Sequence, residues 1–432
     1  MGQNFSRRGF LWTSVSGTLG WFWGAPANHA NVLRANERVG VAVMGLGRGL
    51  SLARTFEQQA DAQVLYVCDV DRRRIDRAVD QVGKLRGRTP QGVVDFRRFL
   101  DDKQVDAVVV ATCNHWHAAA TILACKAGKH VYVEKPCSHT PREGELMVAV
   151  ARRYNRLVQM GNQRRSWPVI REAIAALHQG ALGRVYQAQS WYTNHRPTIG
   201  RGQETSPPSW LDYELWQGPA PRRPYRTNVI HYNWHWFWHW GNGELGNNGV
   251  HMIDLCRWGL GVDYPIQVTS SGGRFRYDDD QETPDTHTAA FIYPGNKQVV
   301  WHGTSCSRLA GLQPPNVLFV GEKGTMVIRD ASYGANYTIY DPEGKIVTQQ
   351  KGQGGDVEHV HNFLEAIRSG QRLHSEIEEA HKSTLPCHLG NIAYRLGRVL
   401  RCDAKSGAIL DDREAQGFWS REYQPGWEPS VE

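Results

Sequence analysis

Short apolar runs alternate with longer amphipathic stretches in the first half of the chain, from about Arg38 onward. The runs are rich in valine, and the stretches between them carry apolar residues at helical spacing. This alternation predicts a parallel sheet with helices on both faces, because consecutive parallel strands need a crossover helix between them. The expected strands lie in VGVAVMGLG, QVLYVCDVD, DAVVVATCN, HVYVEKP and RLVQMGNQ.

From about Gly183 the pattern changes to strands in which polar and apolar residues alternate, with hairpin-like turns such as Pro294-Gly295-Asn296. Half-buried strands of this kind predict an open, mostly antiparallel sheet in an α+β domain. Two helices are expected near the end, in VEHVHNFLEAIRSG and in SEIEEAHKSTLPCHLGNIAYRLGRVL, the second interrupted at Pro386. The fold class is therefore α/β, a doubly wound parallel sheet followed by an α+β domain. The expected strands of the second domain are RVYQAQSWYTN, HTAAFIYP, KQVVWHGTS, NVLFVGEKG and TMVIRD.

A glycine turn, Gly45-Leu46-Gly47-Arg48-Gly49-Leu50, follows the first expected strand. Glycines there let the backbone approach a pyrophosphate at a helix N-terminus, but the third glycine of GxGxxG is absent, so the turn alone also suits an ordinary tight turn. The second strand ends at Asp69, where an acid accepts hydrogen bonds from the adenosine ribose. Together the two features predict a Rossmann domain that binds NAD(P). Asp69 favours NAD, whereas Arg48 and the run Arg72-Arg73-Arg74 leave NADP open.

Polar residues also follow the third and fourth expected strands, at the sheet edge where ligands of such folds bind. Thr112, Asn114 and His115 come after the third strand, and we expect them near the nicotinamide. The fourth strand ends in Glu134 and Lys135. Charges are costly to bury unpaired, so these two side chains are expected at a strand tip, where they meet water, each other or a ligand.

The order of these parts, with Glu134-Lys135-Pro136 as the most specific element, resembles the glucose-fructose oxidoreductase, inositol dehydrogenase and rhizopine-catabolism (Gfo/Idh/MocA) family over roughly residues 38 to 400. The resemblance implies that Lys135 touches both cofactor and substrate hydroxyl, and that Glu134 orients the ribose or the lysine. A partly desolvated lysine also has a lowered pKa, which suits it to take the proton of an alcohol during oxidation. The alternative is a surface Glu-Lys pair that ends the strand.

The family pattern has an Asp followed four residues later by a His, which a helix places on one face. In GNGELGNNGVHMIDL the histidine is His251, but Asn247 occupies the Asp position. An asparagine orients a ring or a hydroxyl without supplying charge. We therefore expect Lys135 and His251 to carry out the proton transfer, and the sequence leaves open how the acid and base roles are divided between them. The alternatives are a helix cap for Asn247 and a buried structural role for His251.

The segment HYNWHWFWHWGNG, if extended, would place its four tryptophans on one face. Such a wall suits the flat C–H faces of a sugar, although a core or interface cluster fits equally well. His231, His235 and His239 lie among asparagine, glycine and tryptophan without nearby acids, so no metal site is expected. By the resemblance, Gln163 and Arg164 lie close to nicotinamide and substrate, and further sugar contacts are expected, against plain surface or hinge roles, from Tyr192, His195, Arg196 and Trp236.

Composition and charge narrow the class of protein only slightly. The 432 residues, 41% apolar and 22% charged, suffice for two domains with buried cores. The formal net charge is +7, but the lysines and arginines are interspersed with acidic residues, so the charge pattern does not indicate a nucleic acid partner. Eight cysteines without a CxxC pair are expected as buried apolar side chains rather than disulfides or zinc ligands.

The first thirty residues have the pattern of a signal segment, with a basic start, an apolar middle and the triplet Ala25-Pro26-Ala27. Arg7-Arg8 before Gly9 matches a twin-arginine export signal; a disordered basic tail is the alternative. Because this route carries folded proteins, it implies a tightly bound cofactor and a periplasmic or otherwise exported location, membrane-tethered if the signal is uncleaved. We expect a signal and linker over 1–35, the NAD(P) domain over 36–165, a substrate and oligomerisation domain over 166–400, and a tail packed on the body over 401–432.

The leading functional prediction is an exported oxidoreductase that moves a hydride between tightly bound NAD(P) and a secondary hydroxyl or ketone of a sugar, glycoside or cyclitol. An NAD-dependent glycoside hydrolase of the same fold is the alternative. By the resemblance, such hydrolases tend to lose the lysine of EKP, so Lys135 favours the oxidoreductase. A non-catalytic sugar-binding protein is the third reading. The expected partners are a carbohydrate, the export machinery and copies of the chain itself, as a dimer or tetramer formed through the second sheet.

Overall fold

Six parallel strands form the first sheet, as the alternating pattern predicts. The computed structural model describes residues 38–309, 311–331 and 334–432, so the predicted signal segment lies outside the described residues. The central strands are fully buried because helices cover both faces of the sheet. The strands are β1 Val39–Met44, β2 Ala62–Cys68, β3 Gln91–Val93, β4 Ala107–Val110, β5 His130–Val133 and β6 Val158–Met160, and the helices among them are α1 Gly49–Gln58, α2 Arg72–Arg86, α3 Asn114–Lys126 and α4 Pro141–Arg153.

The strand order β3-β2-β1-β4-β5-β6 fixes where a ligand fits. The chain winds outward from β1 in one direction and from β4 in the other, so a crevice opens between these two strands at their carboxyl ends. The glycine turn follows β1 and the Glu134-Lys135 pair follows β5, both at that edge. The only strand of this sheet that the pattern missed is β3, which is short and largely exposed.

The second sheet has nine strands in the order β14-β13-β12-β11-β7-β10-β9-β8-β15, where every adjacent pair is antiparallel except β7 with β10. The predicted open, mostly antiparallel sheet is thus confirmed. Its strands are β7 Val185–Thr193, β8 Gln267–Gly273, β9 Thr286–Tyr293, β10 Lys297–Thr304, β11 Val317–Gly321, β12 Gly324–Ala331, β13 Gly334–Tyr340, β14 Ile346–Gln353 and β15 Leu400–Arg401, and the helices of this part are α5 Pro168–His178, α6 Tyr213–Gln217, α7 Val250–Leu260, α8 Val357–Ser369, α9 Ile377–Leu396 and α10 Arg413–Gln416.

One continuous hydrophobic cluster extends from the parallel sheet into the second sheet. Helices α5, α7 and α9 pack against the inner face of the second sheet, and buried residues alternate with half-buried ones along β9 and β10. The opposite face carries half-buried side chains such as Trp191 and His302, stacked with ring centroids 5.5 Å apart. After β15 the chain returns to the first domain, where Trp427 packs edge-on against Trp116 at 4.9 Å.

Two expectations about local structure are wrong. Helix α9 is not interrupted at Pro386, because the flanking Leu385, Cys387 and Leu389 are fully buried and their packing outweighs the local cost of proline. The tryptophan segment is not an extended strand either: residues Asn233–Trp236 form a 3₁₀ turn, so the alternating tryptophans do not share a face.

All eight cysteines are free thiols, and all but Cys113 are buried. Within the described ranges, no helix is both long and apolar enough to cross a membrane.

Candidate active site

A cavity of about 780 Å³ opens at the carboxyl edge of the parallel sheet, and segments of the second domain form its opposite wall. Its volume lies in the range of small-molecule and cofactor sites. Most residues predicted for the site line this one cavity. They are Gly45, Gly47, Arg48, Asp69, Thr112, Asn114, Glu134, Lys135, Gln163, Arg164, Tyr192, Arg196, Asn247 and His251.

Three predicted residues are not brought to the cavity. His115 is fully buried in the first turn of α3, with Nε2 3.0 Å from the carbonyl oxygen of Trp216. His195 has an exposed side chain at the surface. Trp236 is only 2% exposed and lies behind the lining, under the guanidinium of Arg196. Because of the 3₁₀ turn, Trp234 rather than Trp236 faces the cavity.

The glycine turn has the conformation that a close backbone approach requires. Gly45 has φ +86°, and a Cβ there would lie 2.5 Å from the carbonyl oxygen of Ala111, so no other residue fits. Gly49, the first residue of α1, would place a Cβ 3.1 Å from Val43 Cγ1 and 3.2 Å from the Cβ of Ala111. This glycine therefore lets helix and strand pack closely, the role of the third glycine in the dinucleotide pattern, one position earlier.

Asp69 stands at the tip of β2 and is 8% exposed. Its carboxylate accepts hydrogen bonds from the backbone N–H groups of Leu46 at 2.7 Å and Asp71 at 2.9 Å. Burial raises the pKa of Asp69, and these hydrogen bonds oppose that shift. Each carboxylate oxygen keeps a lone pair that a ribose diol would use. Arg74 lies 3.9 Å away and lines the same cavity, so a cation is also present at this end.

A segment of the second domain closes this end of the cavity, which the sequence did not indicate. His231 lines the cavity and places Nε2 2.9 Å from Asp71 Oδ2. The guanidinium of Arg73 stacks on the ring of Trp210 at 3.5 Å. Leu211 forms an isolated antiparallel bridge with Asp71. His231 thus walls the Asp69 end of the cavity, where the adenosine of a nucleotide would lie, while Trp210 and Leu211 hold the residues before and at the start of α2. We call the residues Trp210, Leu211 and His231 the closing segment.

Glu134 and Arg48 join the glycine turn to the tip of β5. The Oε1 atom of Glu134 accepts from Arg48 Nε at 3.2 Å and from Gln163 Nε2 at 3.3 Å. Arg48 also pairs with Asp356, which precedes α8 and lines the cavity. Because two carboxylates hold this guanidinium, Arg74 rather than Arg48 is the cation available beside Asp69.

Lys135 lines the cavity and donates from Nζ to Asn247 Oδ1 at 2.8 Å. Burial lowers the pKa of Lys135, while the charges of Glu134 and Glu244 oppose that shift. His251 is 8% exposed, and its Nδ1 is buried without a hydrogen-bond partner among the described residues. Burial, with Arg164 and Lys135 nearby, lowers the pKa of His251 well below its usual range, so this ring is neutral at pH 7.

On the substrate side, two arginines are held by acids that the sequence analysis did not single out. Arg164 pairs with Asp330, and Arg196 pairs with Glu244 at 2.9 Å. Glu244 is 3% exposed and lies three residues before Asn247. Three residues are about one helical turn, so the sequence could have indicated that Glu244 lies on the same helix face as Asn247. No local signal links Asp330 to Arg164.

Comparison with known proteins agrees with this architecture. The model "Oxidoreductase family, NAD-binding Rossmann fold" of the Gfo/Idh/MocA oxidoreductases matches residues 39–162, and their "C-terminal alpha/beta domain" matches 198–428. Among solved structures, aldose-aldose oxidoreductase from Caulobacter crescentus has a TM-score of 0.66 at 20% identity, covering 84% of this chain and 100% of that one. Levoglucosan dehydrogenase with NADH and levoglucosan has a TM-score of 0.65 at 16% identity, covering 84% and 99%. These two likenesses show the fold.

Curated relatives are similar in sequence over varying lengths. Levoglucosan dehydrogenase of Pseudarthrobacter phenanthrenivorans is 27% identical over 167 residues, which are 39% of this chain and 36% of that enzyme's length. A glycosyl hydrolase family 109 protein of Shewanella sp. strain W3-18-1 is 22% identical over 441 residues, covering 88% of this chain and 91% of that protein. Thus the chain spans about a third of the dehydrogenase and nearly all of the hydrolase.

Proposed function

Because the chain belongs to the Gfo/Idh/MocA oxidoreductase family, we propose that it moves a hydride between tightly bound NAD(P), with NAD favoured, and a secondary hydroxyl or ketone of a sugar, glycoside or cyclitol. The observation that carries this proposal is the meeting of Lys135, Asn247 and His251 in one cavity with the glycine turn and Asp69. The nicotinamide, when bound, supplies the hydride acceptor or donor.

The cofactor fits the residues present. Gly45 leaves no room for a side chain where the backbone must approach a pyrophosphate, and Asp69 offers acceptors to a ribose. In this proposal Gly47, Arg48, Thr112, Asn114, Glu134 and Gln163 complete the cofactor contacts. Asp69 repels a 2′-phosphate, whereas Arg74 beside it attracts one, so NAD is favoured without excluding NADP.

Lys135 is the proposed base. In oxidation it takes the proton of the substrate hydroxyl at Nζ, and in reduction it returns that proton. Burial favours its neutral amine, the form that accepts a proton. Asn247 holds the amine in place at 2.8 Å and does not titrate. His251 is neutral and orients a substrate hydroxyl by hydrogen bonding. In this proposal Lys135 transfers the proton, and Asn247 and His251 orient the reacting groups. On the sugar side Tyr192, Arg164 and Arg196 are the proposed contacts.

Export is part of the proposal. Arg7-Arg8 and the Ala25-Pro26-Ala27 triplet support twin-arginine transport to a periplasmic or otherwise exported location. Nicotinamide nucleotides are scarce outside the cytoplasm, so the cofactor must stay bound, and the closing segment over the adenosine end supports retention.

We also propose that the chain divides into a signal and linker (1–35), an NAD(P) domain (36–165), a substrate domain (166–400) and a tail (401–432). In this proposal oligomers form through the outer face of the second sheet, where Trp191 and His302 stack.

The experiment is to purify the exported protein, denature it and measure released nucleotide, before offering the intact protein a panel of sugars. We expect close to one nicotinamide dinucleotide per chain and a change in its redox state with at least one sugar. A protein that releases no nucleotide, and that does not bind any on addition, contradicts the proposal.

A second candidate is glycoside hydrolysis by transient oxidation of the sugar, which the family 109 relative matched over 88% of this chain supports. Both reactions need a bound nicotinamide, so the discriminating test is a chromogenic glycoside offered without added cofactor. Release of the aglycone with no net reduced nicotinamide favours hydrolysis. Accumulation of reduced nicotinamide in proportion to an oxidised sugar favours the oxidoreductase.

A further inference from the structure

The position expected to carry an acid beside His251 holds Asn247, yet a carboxylate lies close to it. Glu244 immediately precedes a π-helical turn, Leu245–Gly249, that leads into α7. Turns of this kind occur often at functional sites because the wider turn redirects side chains. Glu244 is 3% exposed and does not line the cavity, so it acts on the site only through other side chains.

The contacts of Glu244 fix the orientation of Asn247. The Oε1 atom of Glu244 accepts from Asn247 Nδ2 at 3.4 Å and also from Asn248 Nδ2. A carboxylate only accepts and an ammonium only donates. The amide of Asn247 therefore turns its nitrogen to Glu244 and its oxygen to Lys135 Nζ, 2.8 Å away. Reversing the amide would break both hydrogen bonds.

The same carboxylate neutralises an arginine of the sugar side. Glu244 Oε2 accepts from Arg196 Nε at 2.9 Å, and the remaining donors of Arg196 reach the hydroxyl groups of Tyr192 at 3.0 Å and Tyr232 at 2.9 Å. Every arginine in the described lining of the cavity has a carboxylate partner. The pairs are Arg48 with Glu134 and Asp356, Arg74 with Asp69, Arg164 with Asp330, and Arg196 with Glu244.

We propose that Glu244 is a positioning residue for the reaction: it holds the carbonyl oxygen of Asn247 against Lys135 and cancels the charge of Arg196, so that the site takes a neutral sugar rather than a sugar acid. The inference rests on the proposed oxidoreductase function. In this proposal Glu244 provides, from a neighbouring position, the carboxylate that is missing at Asn247.

The charges around Lys135 set the direction of the test. Glu134 and Glu244 raise the pKa of Lys135, and Arg48 and Arg196 lower it. The nearby rings of His117, His235 and His251 are kept neutral by burial, which lowers the pKa of each. Removing the charge of Glu244 therefore lowers the pKa of Lys135. Since the base acts as its neutral amine, the acidic limb of the pH profile for sugar oxidation moves to lower pH.

The test compares Glu244→Gln with Glu244→Asp and with Glu57→Gln. Glu57 is a buried carboxylate outside the cavity that accepts from the N–H of Val64 at 2.7 Å, so its loss reports general destabilisation. We expect Glu244→Gln to lower kcat roughly 10- to 100-fold, since misplaced catalytic groups cost that much. We also expect its acidic limb to move to lower pH and its kcat/KM for glucuronate relative to glucose to rise. Glu244→Asp should restore the position of the limb.

A second readout does not depend on turnover. The pH dependence of Lys135 acetylation, measured by mass spectrometry on the nucleotide-loaded protein without sugar, should shift to lower pH in Glu244→Gln and stay unchanged in Glu57→Gln. A Glu244→Gln protein whose acetylation profile and pH limb both match the wild type overturns the proposal, whatever its loss of stability. If the acetylation shift appears but the wild type turns over no sugar, the proposed function fails, and of the inference only the action of the Glu244 charge on Lys135 stands.

Discussion

The two halves of the cavity are built differently. The cofactor half consists of strand tips and one turn of a single parallel sheet. Gly45 and Asp69 directly follow β1 and β2, and Thr112 and Lys135 lie two residues beyond the ends of β4 and β5. The substrate half is assembled from segments far apart in the chain, and ion pairs hold it in place. Arg196 and Glu244 are 48 residues apart, and Arg164 and Asp330 are 166 apart.

The difference shows what each half is suited to do. A sheet edge offers backbone groups and fixed acceptors, which recognise the parts that every nicotinamide dinucleotide shares. Pairs of distant charged side chains fix a shape whose net charge is close to zero, which suits the recognition of a neutral polyol by hydrogen bonds. Lys135 is part of both halves of the cavity. It follows β5 of the parallel sheet, and its Nζ donates a hydrogen bond to Asn247 of the second domain.

The largest effect is expected from Lys135→Met, which removes the proposed base and leaves the glycine turn and Asp69 in place. Sugar oxidation should fall by roughly 100- to 10,000-fold, the range of general base catalysis. Nucleotide should still co-purify in close to wild-type amount. Lys84→Met, at an exposed lysine paired with Asp80, is the control and should keep full activity. If Lys135→Met loses its nucleotide to the same degree as its activity, the two halves are not separable at this residue.

Gly45→Ala should break the cofactor half. The added Cβ meets the carbonyl oxygen of Ala111 at 2.5 Å, and the positive φ is strained for alanine. We expect nucleotide affinity to fall about 10- to 100-fold, which equilibrium dialysis of NADH measures. Gly87→Ala is the matched control: its φ of +67° carries similar strain, but no atom lies within 4 Å of the new Cβ. Equal losses of affinity in both variants would show that strain alone, not the approach at the turn, matters.

His251→Ala tests the division of labour in the substrate half. Because burial keeps His251 neutral, it does not titrate in the working range, and its removal should lower kcat/KM about tenfold through a lost hydrogen bond. The acidic limb of the pH profile should keep its direction, with activity lost as the pH falls through the lowered pKa of Lys135. A pH profile that loses its acidic limb in His251→Ala would identify the histidine as the base instead.

The smallest effect concerns the closing segment at the adenosine end. Arg73→Ala removes the stacking on Trp210 and should speed nucleotide release about threefold, as expected for an exposed cation–π contact. Arg77→Ala, an exposed position on the same helix, should leave the release rate unchanged. The measurement is stopped-flow displacement of NADH. An unchanged rate in Arg73→Ala would show that this contact does not contribute to nucleotide retention.

The cofactor half could be predicted from the sequence because each of its residues stands next to a recognisable strand. The ion pairs of the substrate half could not, since no local pattern connects Arg164 to Asp330. The sequence analysis also missed β8, β13, β14 and β15 of the second sheet. Strands β8 and β14 are mostly polar, so they lack the alternation that marks a strand, and β15 has only two residues. Trp236 was predicted at the site because a period of two was assumed where the chain forms a 3₁₀ turn.

The most direct test of the central claim is a single turnover with a sugar deuterated at the reacting carbinol carbon, offered to the nucleotide-loaded protein. We predict that deuterium appears on the bound nicotinamide in the wild type, with a primary isotope effect on the rate, and that Lys135→Met, still loaded with nucleotide, shows almost none within the same time. Sugar conversion in the wild type without any deuterium on the nicotinamide would contradict it.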